Sequence, residues 1–237
     1  MSRPELDLKL YLIIGRENVP SKTVEEVLQI IKDAVLGGVT TIQLRDKNAR
    51  DDELLNIIPL ILDTIRGFSH GNHVGFLIND RVDIVLEARK AGFLVDGVHL
   101  GPNDMNPVEA RKLLGEDSVI GVSAGRTTLV ELVNQLPYGT VDYIGAGPVH
   151  ETSSKPDAGV YDGTRIIQGV QGIAKVTELA NNPVIAGGGV TPEDIEQLMN
   201  AGVCGVFVIN YICKALSPLK AAQNLRQALD KYSKVHV

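Results

Sequence analysis

The chain has 237 residues, 44% of them hydrophobic and 22% charged, an apolar content that excludes a disordered chain. Its 23 Lys and Arg against 29 Asp and Glu give a net charge of −6, which argues against a general nucleic-acid binder, because phosphate attraction needs a cationic surface. No window approaches the ~20 apolar residues of a membrane span, and the mean hydropathy of +0.07 is that of a soluble globular protein.

The N-terminal stretch MSRPELDLKLYLIIG carries acids ahead of its apolar run and no stretch long enough for a secretory signal, so the cytosol is the expected compartment. Eight short runs rich in Val, Ile and Leu follow one another: Leu10–Ile14, Thr40–Leu44, Gly75–Ile78, Gly97–Leu100, Val119–Ser123, Tyr143–Gly147, Pro183–Ala186 and Gly205–Ile209. They are too brief for helices and read as fully buried parallel strands. Between them lie amphipathic segments: Thr23–Leu36, Asp51–Ile65, Val82–Ala91, Pro107–Leu114, Thr128–Leu136, Thr164–Leu179, Pro192–Asn200 and Pro218–Tyr232. Val24, Val27, Leu28, Ile31 and Val35 share one helical face of the first. Gly37-Gly38, Gly92, Gly115 and Gly202 close helices directly before strands, and Pro107, Pro192 and Pro218 stand near helix starts.

Strict alternation of eight strands and eight helices predicts a (β/α)8 TIM barrel of class α/β, one domain over 1–237. An open doubly wound sheet is the runner-up, disfavoured by the even spacing and by the absence of GxGxxG after the first strand. Cys204 and Cys213 belong to no CxxC pair and read as two reduced thiols in apolar surroundings.

Chemistry on such a barrel collects at the C-terminal strand ends. After the second run stands Gln43-Leu44-Arg45-Asp46-Lys47, and strand alternation turns Gln43, Arg45 and Lys47 the same way. They are either a ligand-facing set or a solvated charge cluster. Past the third and fourth runs lie Asp80 and Asp104. Such carboxylates suit Mg²⁺, but taken alone each reads better as a cap of the helix that follows. His99 lies within a strand and reads as a core histidine rather than a metal ligand. After the sixth run comes a hydroxyl-rich stretch, His150–Gly159, read as a binding loop or lid against the alternative of a surface insertion. Gly187-Gly188-Gly189 and Ile209-Asn210 end the last two runs, where backbone N–H groups on this fold often hold phosphate.

Together these segments resemble thiamine phosphate synthase from about Leu10 to Ile212, through LYLI, GGVTTIQLRDK, LINDRVDI, DGVHLG, IGVSAG, VDYIGAGPV, TSSK and AGGGV. That family has the (β/α)8 fold. It joins 4-amino-5-hydroxymethyl-2-methylpyrimidine diphosphate to 4-methyl-5-(2-phosphooxyethyl)thiazole and releases pyrophosphate. The resemblance implies that Gln43, Arg45, Lys47 and Asn79 line the pyrimidine diphosphate end, and that Asp80 and Asp104 hold Mg²⁺. It further implies that Ser123 hydrogen-bonds the diphosphate substrate and that Thr152, Ser154 and Lys155 form the hydroxyl and lysine loop. Gly189, Ile209 and Asn210 are implied at the thiazole phosphate, which backbone N–H groups of Gly188, Gly189 and Asn210 are expected to hold. Asp46, Pro102-Asn103, Ser154 and Asn210 depart from the family's usual residues.

The implied chemistry needs no protein base, because the attacking thiazole nitrogen carries no proton. The expected partners are therefore two small molecules, with no nucleic acid and no membrane; a homo-oligomer is compatible with the sequence. Three rivals differ in class: a thiazole tautomerase-like relative on the same fold, an unrelated sugar-phosphate isomerase or aldolase, and a catalytically inactive barrel that binds a thiamine precursor.

Overall fold

Each apolar run becomes a strand because its side chains find apolar cover on both faces, from the barrel interior and from a surrounding helix. The structure, a computed structural model, describes residues 6–152, 159–161 and 164–232. Its first half runs β1 (Leu10–Ile14), α1 (Val24–Leu36), β2 (Thr41–Leu44), α2 (Asp51–Phe68), β3 (Gly75–Asn79), α3 (Val82–Lys90), β4 (Gly97–Leu100), α4 (Pro107–Leu114) and β5 (Val119–Ser123). The second half runs α5 (Thr127–Asn134), β6 (Tyr143–Ala146), β7 (Val160–Tyr161), β8 (Thr164–Arg165), α6 (Gly169–Leu179), β9 (Val184–Gly187), α7 (Ile195–Asn200), β10 (Gly205–Val208), α8 (Asn210–Cys213) and α9 (Pro218–Asp230).

Eight strands close in the order β1-β10-β9-β6-β5-β4-β3-β2, every neighbouring pair parallel. Closure by the β1–β10 pair, with Leu10 opposite Val206, overturns the open-sheet alternative. The fold is a single-domain (β/α)8 barrel. The helices bury the faces their spacing assigns; in α1 these are Val27, Ile30, Ile31, Ala34 and Val35. Burying one such side chain contributes roughly 1.5–3 kcal/mol. The Thr23 hydroxyl caps α1 by accepting from the Glu26 N–H, and Ser217 caps α9 from the Lys220 N–H.

One helix differs from its sequence reading. Thr164–Leu179 does not form a single helix: Thr164–Arg165 pairs antiparallel with Val160–Tyr161, and α6 begins only at Gly169. The left-handed turn after α1 also falls on Gly38, at φ 99°, while Gly37 keeps a right-handed conformation.

The N-terminal end of the barrel holds two arginines that donate to carbonyls and polar side chains of the chain itself. Arg111 donates to the carbonyls of Gly115 and Ser118 at 3.0 and 2.6 Å, to that of Thr140 at 3.2 Å, and to the Asp142 carboxylate at 2.7 Å. Asp142 in turn accepts the Ile120 N–H at 2.7 Å, at the start of β5. Arg89 donates to the carbonyls of Val95, Asp96 and Leu114 and to the Ser118 hydroxyl.

Candidate active site

Strand alternation decides which side chains reach the opposite, C-terminal end. A cavity of about 590 Å³ opens there. Gln43, Arg45 and Lys47 all line it, as their spacing predicts, and Arg45 continues the ladder past β2 through its N–H to the Ile14 carbonyl at 2.8 Å. Asn79, Asp80, Asp104, Ser123, Thr152, Gly188, Gly189, Ile209 and Asn210 line the same space. Ser154 and Lys155 lie outside the described residues, so only the flanks of His150–Gly159 are described. There Thr152 faces the cavity, and the His150 ring is tied to Asp194 at 2.8 Å.

The cationic side of the cavity is braced from behind. The Arg45 guanidinium is almost fully buried and pairs with Glu17, which the sequence reading did not single out. Among the described residues its Nε has no hydrogen-bond acceptor. A buried guanidinium N–H without an acceptor is costly, and an anionic ligand would satisfy it. Lys47 Nζ lies 3.9 Å from Asp80 Oδ2.

Neither acid serves as the cap that the sequence left open. The N-cap of α3 falls on Arg81, one residue beyond Asp80, and makes no side-chain capping bond. Asn106 caps α4 instead, its Oδ1 accepting from the Val108 N–H at 2.9 Å. Asp80 adopts φ 63°, a left-handed conformation that costs a non-glycine residue roughly 1–2 kcal/mol. Such strain at a cavity-lining carboxylate is common at ligand sites. Asp104 Oδ2 accepts the Gly101 N–H at 2.6 Å, which folds the loop after β4 back under the carboxylate.

Beneath the mouth runs a chain of polar side chains that sequence reading missed. Gln43 Nε2 donates to the Tyr11 hydroxyl at 2.7 Å, and Tyr11 and Tyr143 share a hydroxyl–hydroxyl bond of 2.9 Å. The Tyr143 hydroxyl lies 3.0 Å from His99 Nδ1, and His99 Nε2 lies 2.9 Å from Ser123 Oγ. His99 is therefore buried, as expected of a core histidine, but it also borders the cavity. Its strand position was legible; its partners were not, because Tyr11 and Tyr143 read as members of apolar runs.

On the far side, Gly188 and Gly189 take φ 88° and 75°, conformations that favour glycine. A Cβ on Gly189 would come within 2.9 Å of the His150 Cβ. The glycine thus makes room for the loop after β6. Asn210 is the first residue of α8. The two thiols are poor nucleophiles: burial pushes Cys204 up to about 11 and Cys213 up to about 12.

A family model described as thiamine monophosphate synthase matches residues 10–212. Thiamine-phosphate synthases of Azorhizobium caulinodans and Corynebacterium efficiens are each 34% identical to this chain over 94% of its length, covering 96% and 95% of their own. Among solved structures, a thiamine phosphate pyrophosphorylase from Pyrococcus furiosus superposes with a TM-score of 0.77 at 29% identity, over 96% of this chain and 98% of that one. A 3-hexulose-6-phosphate synthase, with a TM-score of 0.65 at 19% identity, shares the fold alone.

Proposed function

The chain belongs to the thiamine monophosphate synthase family, whose reaction joins the hydroxymethylpyrimidine diphosphate to the thiazole phosphate, and we propose that both substrates meet in the mouth cavity, with Mg²⁺ on Asp80 and Asp104. One observation carries this placement: a single cavity gathers Gln43, Arg45, Lys47, Asp80, Asp104 and Ser123 on one side and the Gly188-Gly189 turn and Asn210 on the other. Two anionic groups, a diphosphate and a monophosphate, would find separate cradles there. No helix among the described residues is long and apolar enough to cross a membrane.

The donor set suits Mg²⁺. Two carboxylates follow adjacent strands, and among the described residues no cluster of three or more His, Cys, Asp or Glu forms a complete cage. A site of that kind leaves positions for water and for diphosphate oxygens, which is how Mg²⁺ is usually held. Bound there, Mg²⁺ would offset the charge that develops on departing pyrophosphate. Arg45 and Lys47 would donate to the same oxygens, and Arg45, fixed by Glu17, would do so with little reorganisation. Lys155 with the hydroxyls of Thr152 and Ser154 is assigned to this end by the family motif. Asn79 and Gln43 would orient the pyrimidine, and Ser123 would hydrogen-bond the diphosphate substrate.

At the thiazole end, backbone N–H groups of Gly188, Gly189 and Asn210 would hold the phosphate, beside Ile209. Pairing the two substrates in one cavity replaces a base with positioning. The thiol and phenol groups fit that scheme, since burial pushes Cys213, Tyr11 and Tyr143 all upward and keeps them protonated. The deciding assay follows pyrophosphate release with each substrate alone and with both. Release that needs Mg²⁺ and both substrates is expected. Binding of both substrates with no release would make the barrel a carrier instead.

A further inference from the structure

We propose that Tyr11, Tyr143 and His99 are positioning residues that hold the Ser123 hydroxyl as a hydrogen-bond donor to the substrate, through a one-way chain of hydrogen bonds that starts at Gln43. The inference rests on Ser123 meeting the substrate, as assigned above. It concerns which way the Ser123 proton points, and which buried groups decide that.

The direction follows from counting protons. Gln43 Nε2 donates to the Tyr11 hydroxyl, so Tyr11 must find an acceptor for its own proton. Among the described residues its other hydrogen-bonding neighbour is the Tyr143 hydroxyl at 2.9 Å. If Tyr143 donated to Tyr11 instead, the Tyr11 proton would be buried without an acceptor, which costs more than a hydrogen bond yields. Tyr11 therefore donates to Tyr143. The Tyr143 proton then goes to its remaining neighbour, His99 Nδ1, at 3.0 Å. A neutral imidazole that accepts at Nδ1 carries its proton on Nε2. Nε2 donates to Ser123 Oγ at 2.9 Å, and the Ser123 proton is left to point into the cavity that Ser123 lines.

The backbone is shaped to hold this chain. A Cβ on Gly121 of β5 would overlap the Tyr143 phenol, and one on Gly145 of β6 would lie 3.1 Å from His99 Cε1. The register sets His99 opposite Gly121 and Gly121 opposite Tyr143, so the two rings cross strands that carry no side chain between them. Tyr11 and Tyr143 are 0–1% exposed, and burial pushes both phenols upward, so both keep the protons the chain requires. Neutral, proton-ordered chains of this kind polarise their terminal donor. A hydroxyl fixed as donor suits a phosphate oxygen, which only accepts.

The test reads the proton directly. In the full chain labelled with ¹⁵N-histidine and without substrate, His99 should appear as the Nε2–H tautomer alone. Tyr143→Phe removes the donor to Nδ1 and keeps the ring, so His99 should shift toward a tautomer mixture. The same variant should lower kcat about tenfold and leave the KM of the thiazole phosphate unchanged. In a Ser123→Ala background Tyr143→Phe should cost nothing further, because the effect passes through Ser123. An Nδ1–H or doubly protonated His99 in the unmodified protein overturns the proposal. So does an equal loss of kcat in both backgrounds. If Tyr143→Phe does not fold, the tautomer of the unmodified protein still decides, and it does so even if no synthase activity is found.

Discussion

The two ends of the barrel hold similar residues to opposite purposes. At the N-terminal end, Arg111 is 6% exposed, and its NH1 and NH2 groups meet three carbonyls and Asp142. At the C-terminal end, Arg45 is 4% exposed and meets Glu17; the Nε of each arginine lacks an acceptor among the described residues, but only that of Arg45 belongs to a side chain lining the cavity. The acids divide the same way. Asp142 and Asp96 accept strand N–H groups, of Ile120 and Phe76, and so complete the sheet. Asp80 and Asp104 instead border a cavity, one of them in a left-handed conformation. Burial alone therefore does not mark a functional charge. What separates the two ends is whether the charged group borders the cavity or is spent on the carbonyls and N–H groups of the sheet.

The largest effect should come from breaking the N-terminal end. Arg111→Met removes the arginine that pairs with Asp142 in a mostly buried setting, which should cost about 3–5 kcal/mol. For a chain of this size that lowers Tm by roughly 6–20 °C. The KM of both substrates should hold, since the cavity is at the other end. Arg45→Met should invert the pattern: Glu17 is partly exposed and can be solvated, so Tm changes little while turnover collapses. Calorimetry and steady-state kinetics on both variants check this, and matching losses of stability would dissolve the distinction.

Next in size are Asp80→Asn and Asp104→Asn. Each should lower kcat about 100-fold or more while Tm stays within about 2 °C. Relief of the φ 63° strain at Asp80 by the more tolerant Asn could even raise Tm slightly. Stability lost with activity retained would make both acids structural. Gly189→Ala ranks below these. Its positive φ and the nearby His150 should cost about 1–2 kcal/mol, with a rise in the thiazole phosphate's KM. A rise confined to the pyrimidine diphosphate would reverse the assignment of the two phosphate ends.

These contrasts also show what was legible in the residues alone. The barrel was legible because eight short apolar runs alternate with amphipathic segments, and the 2-residue strand period carried Gln43, Arg45 and Lys47 to one face. The capping question at Asp80 and Asp104 was not, because caps shift by one or two residues and fell on Arg81 and Asn106. The β7–β8 hairpin was hidden because Ile166 and Ile167 extend the apolar spacing of α6 backwards into Thr164–Arg165. The Tyr11–Tyr143 bond joins residues 132 positions apart, and only barrel closure brings them together. Nothing local distinguishes such a tyrosine from its aliphatic neighbours.

The smallest expected effect tests the thiazole end. Asn210 lines the cavity as the first residue of α8, and Ile209 before it adopts φ −123° and ψ −87°. If the phosphate is held by backbone N–H groups of Gly188, Gly189 and Asn210, a change of the Asn210 side chain leaves those donors in place. The phosphate sits at the end of an ethyl arm, away from the nitrogen that forms the new bond. Contacts to it should then be equal in the ground and transition states, so they appear in KM and not in kcat. Asn210→Ser should accordingly move the thiazole phosphate's KM by no more than about threefold, less than 1 kcal/mol, with kcat unchanged. The pyrimidine diphosphate's KM serves as the internal control and should not move. A tenfold rise in the thiazole KM would show that the Asn210 amide, not the backbone, carries the phosphate, and the glycine turn would lose its assigned role.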